Sequence, residues 1–229
     1  MPRKIDIRGV IVQDDDKWIY NWLEITSTSP ADVRGAIIEA NGDDITVVIN
    51  SGGGDVQAGQ EMYTILRGYT GRVVIQIQSM AASAASVVAM AGESEISPVA
   101  QLMIHNVSTR ATGDHRAMEH AAEVLRNSDQ ALVSAYVAKT GRPEREILDM
   151  MARETWMTAQ QAVDAGFVDR VMFSESQTHG NTLQLAASYN SGLLSLETLE
   201  KIRNQFNREN AKAQAEAQYN YMILEGKIK

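Results

Sequence analysis

The chain has 229 residues, 44% hydrophobic and only 6% aromatic, enough for one α/β domain with an aliphatic, alanine-rich core and an appendage. A formal charge of −8 with no Lys/Arg cluster argues against a nucleic-acid-binding surface, and the absence of cysteine excludes disulfides, thiolate metal sites and a Cys nucleophile together. The start, MPRKIDIRGVIV, lacks the apolar core of a signal peptide. The longest nearly uncharged run, Gln76 to Gly92, is short for a membrane span, so a soluble, cytoplasmic protein is expected.

Short apolar runs alternate with helical patterns along the chain. Ile5–Val12 reads as a strand, and Ser29 followed by Pro30 reads as the N-cap and first position of a helix. The β-branched run DDITVVIN (43–50) is typical of a strand buried on both faces; SGGGD breaks it, and VQAGQEMYTILRGY resumes helical periodicity. RVVIQIQ (72–78) is a second buried strand and QLMIHN (101–106) a third. One long helix is expected over 113–141, ended by Gly141 and Pro143, and it should project from the core. Shorter helices cover PEREILDMMA and TAQQAVDAG (158–166), and FVDRVMF (167–173) returns as a strand. This alternation predicts parallel strands with right-handed crossovers. The expected organisation is a domain over 1–174, a polar, turn-rich linker over 175–192 and an amphipathic helix over 193–229. Leu196, Leu199, Ile202 and Phe206 share one side of that helix, which suits packing or oligomerisation.

Three local signals bear on chemistry. In INSGGGD, a buried strand ends in Gly52-Gly53-Gly54, where the backbone can approach a ligand closely and turn its N–H groups outward. The lysine of a phosphate loop is missing, and GGG is not GxGxxG. In QSMAASAASVVAMAG (78–92), Ser83 falls where a helix should start, leaving the Ala84 N–H able to face a developing oxyanion. The alternative is tight packing of small residues, and Ser86, a turn deeper, is placed to bond a backbone carbonyl. His105 ends QLMIH, where it can be a base or a hydrogen-bonded structural residue. His115, His120 and His179 are read as solvated, and no spacing suggests a metal or other cofactor.

Taken together, these segments resemble the ClpP peptidase family. INSGGGDVQAG is similar to its INSPGG-x-x-x-AG loop, SMAASAAS to its G-x-A-A-S-M-G nucleophile segment and LMIHN to its MIH segment. KTGRPEREILDMMARETWMTAQQAVDAGFVDRV resembles the stretch that follows, so the likeness runs from about residue 20 to 173 in register. It implies an α/β, ClpP/crotonase-like ββα spiral fold with a protruding helix, here carrying an extra C-terminal helix.

The resemblance also implies a serine endopeptidase acting through an acyl-enzyme. Ser83 would be the nucleophile and His105 the base, with Glu154 at the position of the family's aspartate and Asp149 as the fallback. The N–H groups of Gly54 and Ala84 would be the oxyanion donors, with Gly52 and Gly53 in the substrate-binding loop. Three departures stand out: Glu154 is a methylene longer than aspartate, Gly52 replaces proline, and Ala84-Ala85 replace Met-Gly. The expected partners are further copies of the chain in a cyclic homo-oligomer with stacked rings, and polypeptide substrates, with the need for an ATPase left open. The long C-terminal segment most resembles the ClpP-like proteases of tailed phages and prophages, which process capsid or scaffold proteins in head maturation. Two other readings are a catalytically impaired assembly subunit, which Glu154 would favour, and a crotonase-type acyl-CoA enzyme.

Overall fold

The computed structural model describes residues 3–173 and 192–224, with side chains through residue 212. Strand β1 (Arg3–Ile11) leads through helix α1 (Lys17–Trp22) to β2 (Ser27–Thr28) and α2 (Pro30–Ala40). β3 (Ile45–Gly54), α3 (Val56–Arg67) and β4 (Val73–Ala82) follow, then α4 (Ala84–Ala89), β5 (Glu93–Ile96) and β6 (Gln101–Ile104). α5 (His115–Thr140) and α6 (Glu144–Ala152) precede β7 (Thr155–Thr158), α7 (Ala159–Asp164) and β8 (Arg170–Val171), and α8 (Leu196–Leu224) comes last. The strands form one sheet in the order β2-β1-β3-β4-β5-β8, every pair parallel. β6 joins the far end of β4 in parallel, and β7 pairs antiparallel with β6.

The core follows from the apolar pattern. Adjacent residues Val47, Val48 and Ile49 of β3 are all buried, as expected for a strand covered on both faces. Ala58, Met62 and Leu66, four residues apart along α3, form the face that packs on the sheet. Ser29 precedes Pro30 at the start of α2, and the Asp32 carboxylate accepts the Ser29 N–H at 2.8 Å, closing the helix start as the sequence suggests.

Two strands run further than their sequences imply. The glycines do not break β3, because β1 stays paired with it as far as Ile11 and Gly54. A Cβ at Gly54 would lie 2.1 Å from the Ile11 carbonyl oxygen, so only glycine allows so close a ladder. β4 likewise continues through the serine-bearing segment. Its pairing with β3 jumps between Ile77 and Ala81, an irregularity that moves β4 from β5 to β6 and leaves Gln78 and Ser79 exposed. In contrast, FVDRVMF yields only the two-residue β8, paired with Glu95 and Ile96 of β5.

Of the expected linker over 175–192, residues 175–191 lie outside the described residues. α8 folds back on the start of the same chain. Leu199 is buried with Val10, Val12, Ile19 and Tyr20, and the Trp18 and Phe206 rings meet at 4.7 Å. The Leu194 N–H donates to Tyr20 Oη at 2.8 Å. Leu196, expected on the apolar side, is exposed, because it opens the helix beyond the reach of α1. Among the described residues, no helix is long and apolar enough to cross a membrane.

Candidate active site

Ser83 sits on the turn between β4 and α4 with φ 56° and ψ −128°, a conformation that an L-residue rarely adopts. Three contacts hold it there. The Ser83 N–H donates to the Met103 carbonyl of β6 at 3.0 Å, which extends the β4–β6 ladder one step beyond Ala82 and Met103. The Ser86 N–H donates to the Ser83 carbonyl at 2.9 Å, and the Ser86 hydroxyl donates to the same oxygen at 2.6 Å. That spends the one proton of Ser86, so the Tyr136 hydroxyl, 2.8 Å away, donates to Ser86 Oγ. Both side chains are fully enclosed, and burial holds the Tyr136 phenol far above its ordinary pKa. The expected carbonyl bond of Ser86 is therefore present, with a tyrosine from α5 behind it.

His105 follows β6 directly, so the parallel β4–β6 pairing delivers its imidazole to the same strand ends. Its Nε2 lies 2.7 Å from Ser83 Oγ. Burial pushes the His105 pKa below its usual value, against the opposing pull of Glu154 and then Asp129. Burial thus favours the uncharged imidazole, the form able to accept a proton.

The β6–β7 register sets Ile104 against Thr155, which puts Glu154 across from His105. Glu154 lies two residues beyond α6, with its N–H on the Met151 carbonyl at 3.0 Å and a left-handed φ of 50°, the second strained residue of the site. Its side chain is exposed, and its Oε1 accepts the Trp156 indole N–H at 3.2 Å. Among the described residues, no carboxylate is hydrogen-bonded to His105, whose one such bond is to Ser83. Asp149 lies exposed on α6 and is not among the groups that act on the imidazole. The sequence reading missed a further carboxylate, Asp129 of α5, which is buried and acts on His105. Only its polar type at a core-facing position of a helix could have signalled it.

The glycines approach from the other side. A Cβ at Gly53 would lie 2.6 Å from the Ala82 carbonyl oxygen, 2.7 Å from Ser83 Cβ and 2.9 Å from the Ala84 nitrogen. Gly53 is therefore the glycine against the serine turn, with Gly54 next to it on Ile11 and Gly52 buried behind. Ala84 opens α4, so its N–H has no acceptor within the helix. Asp55 ends the glycine segment: its carboxylate caps α3 at the Ala58 N–H, 2.8 Å away, and is also bonded by Gln13. Among the described residues, no group of three or more His, Asp or Glu could hold a metal ion.

The sequence model of the family described as Clp protease matches residues 35–175. The ATP-dependent Clp protease proteolytic subunit 1 of Chlamydia muridarum is 32% identical over 170 residues, covering 70% of this chain and 88% of that protein. Its counterpart in Chlamydia caviae is 34% identical over 139 residues, 58% of this chain and 72% of that protein. Among solved structures, a mutant ClpP1 from Listeria monocytogenes matches with a TM-score of 0.62, over 76% of this chain and 92% of that one. At 22% identity, that likeness concerns the fold.

Proposed function

Since the chain belongs to the Clp protease family and is a serine-type peptidase, we propose that Ser83 is its nucleophile, His105 its general base and Glu154 the acidic member of the triad. The observation that carries this reading is the 2.7 Å contact between Ser83 Oγ and His105 Nε2 on a strained strand-to-helix turn.

Ser83 Oγ attacks the scissile carbonyl carbon while His105 Nε2 takes its proton. The N–H groups of Gly54 and Ala84 receive the oxyanion of the tetrahedral intermediate. His105 then hands the proton to the leaving amine, and a water molecule, deprotonated in turn by His105, hydrolyses the acyl-enzyme. Glu154, across the β6–β7 ladder, moves onto the imidazole once substrate closes the site and fixes its tautomer; such bonds are often loose before substrate binds. An extended substrate lies against the glycine segment as an added strand, which gives main-chain recognition with weak side-chain selectivity.

The chain acts as a cyclic homo-oligomer, a reading supported by α5, whose buried residues begin only at Asp129 and whose first half stands free of the core. The finer proposal, that its substrates are capsid or scaffold proteins of tailed phages, is supported by α8, which extends the chain beyond the family stretch.

The test is intact-mass analysis of the protein and of Ser83→Ala after treatment with a fluorophosphonate. One adduct on the first and none on the second is expected. No adduct on folded protein, or an adduct that survives Ser83→Ala, overturns the assignment of Ser83.

A further inference from the structure

Residues 106–113, which leave His105 and lead into α5, belong to no strand or helix. Among the described residues, a single hydrogen bond ties this segment to another element: the Val107 N–H donates to Asp129 Oδ1 at 2.6 Å. Asp129 is 8% exposed, and burying a carboxylate is costly unless it has a partner. Its second oxygen has no hydrogen-bond partner among the described residues.

The charged groups acting on His105 are two, one from each element packed against it: Glu154 before β7 and Asp129 on α5. They differ in setting. Glu154 is exposed, so water screens its charge, and one of its oxygens is engaged by Trp156. Glu154 still exerts the larger pull on the imidazole and Asp129 the smaller, but Asp129 is buried and so less screened. Burial pushes its own carboxyl up, opposed by the Val107 N–H and by His105, so a positive imidazole is the state that best keeps it ionised.

We infer that Asp129 is a second acidic positioning residue of the site, which anchors the His105 segment through Val107 and stabilises the imidazolium formed when His105 takes the Ser83 proton. This rests on Ser83 and His105 being the reacting pair. It also accounts for a triad whose family aspartate is replaced by an exposed glutamate: a buried carboxylate supplies the desolvated charge that Glu154 lacks.

The experiment separates anchor from charge. Asp129→Asn keeps an acceptor oxygen for Val107 and removes the charge; Asp129→Ala removes both. Two readouts are taken on each protein: the rate of fluorophosphonate labelling against pH, and the titration of the His105 imidazole by NMR, which needs no turnover. In Asp129→Asn the imidazole midpoint should move to lower pH, and the plateau labelling rate should fall about tenfold, the equivalent of one pKa unit of lost stabilisation. Asp129→Ala should fall further, and Asp129→Glu should recover part of the midpoint shift. A wild-type midpoint and plateau in Asp129→Asn would overturn the inference, even with Asp129→Ala inactive, because an anchor alone survives in asparagine. Absence of labelling in the unmodified protein would instead strike the assignment of Ser83, with the NMR titration still reporting on Asp129.

Discussion

The chain of hydroxyls from Tyr136 through Ser86 to the Ser83 carbonyl makes a quantitative prediction about how the serine turn is held. Ser86→Ala removes a hydrogen bond, a net loss of about 1 kcal/mol, and strands the enclosed Tyr136 hydroxyl, at a further cost of about 1–3 kcal/mol. Tyr136→Phe removes one bond but leaves Ser86 donating to Ser83, so about 1–1.5 kcal/mol is expected. In the double variant both bonds are gone and no hydroxyl is orphaned, so the total should be near 2 kcal/mol, about 1–3.5 kcal/mol below the sum of the singles. The assay is urea unfolding of all four proteins at one protein concentration, so that any contribution from assembly is shared. Additive losses, or Tyr136→Phe costing more than Ser86→Ala, would refute the donor order assigned here.

Gly53→Ala would place a methyl within 3 Å of the Ala82 carbonyl, Ser83 and the Ala84 nitrogen at a φ of +93°. The turn must shift, and labelling of Ser83 should drop about 100-fold or more, the usual cost of a misplacement near 1 Å; a near-normal rate would show that the turn tolerates the shift. Because burial depresses the His105 pKa, labelling should rise from acid pH with a midpoint below 6.5 and be level by neutrality. A midpoint above 6.5 would mean that the carboxylates outweigh burial. Leu199→Ala should cost about 2–4 kcal/mol by opening the α1–α8 contact, read by the same urea assay, while leaving the labelling rate of the folded protein unchanged.

Much of this architecture could be read from local pattern. The apolar runs at 45–49, 73–77 and 101–104 are strands, and Gly53, Ser83 and His105 toward or beyond their ends meet at one end of the sheet because parallel strands finish together. Where pairing partners decide, pattern fell short. Nothing near Gly52 announces that β1 holds the glycines in a ladder, and nothing near Ser79 that β4 changes neighbours there. A four-residue strand such as β7 has too few alternations to stand out, though it is the element that sets Glu154 opposite His105. Asp129 was invisible for another reason: a polar residue within a long helix reads as solvent-facing until its packing partners are known.

The antiparallel pairing of β6 with β7 joins Ile104 to Thr155 across the whole of α5 and α6. This has a consequence for biosynthesis. A chain emerging from the ribosome can close the Ser83 turn as soon as Met103 is available, yet Asp129 and Glu154 have still to be made. Until then the segment after His105 lacks its Val107–Asp129 bond, and the β6–β7 ladder is unmade. On the proposed triad, a chain stopped before residue 154 should therefore react with a fluorophosphonate at Ser83 more slowly than the full chain.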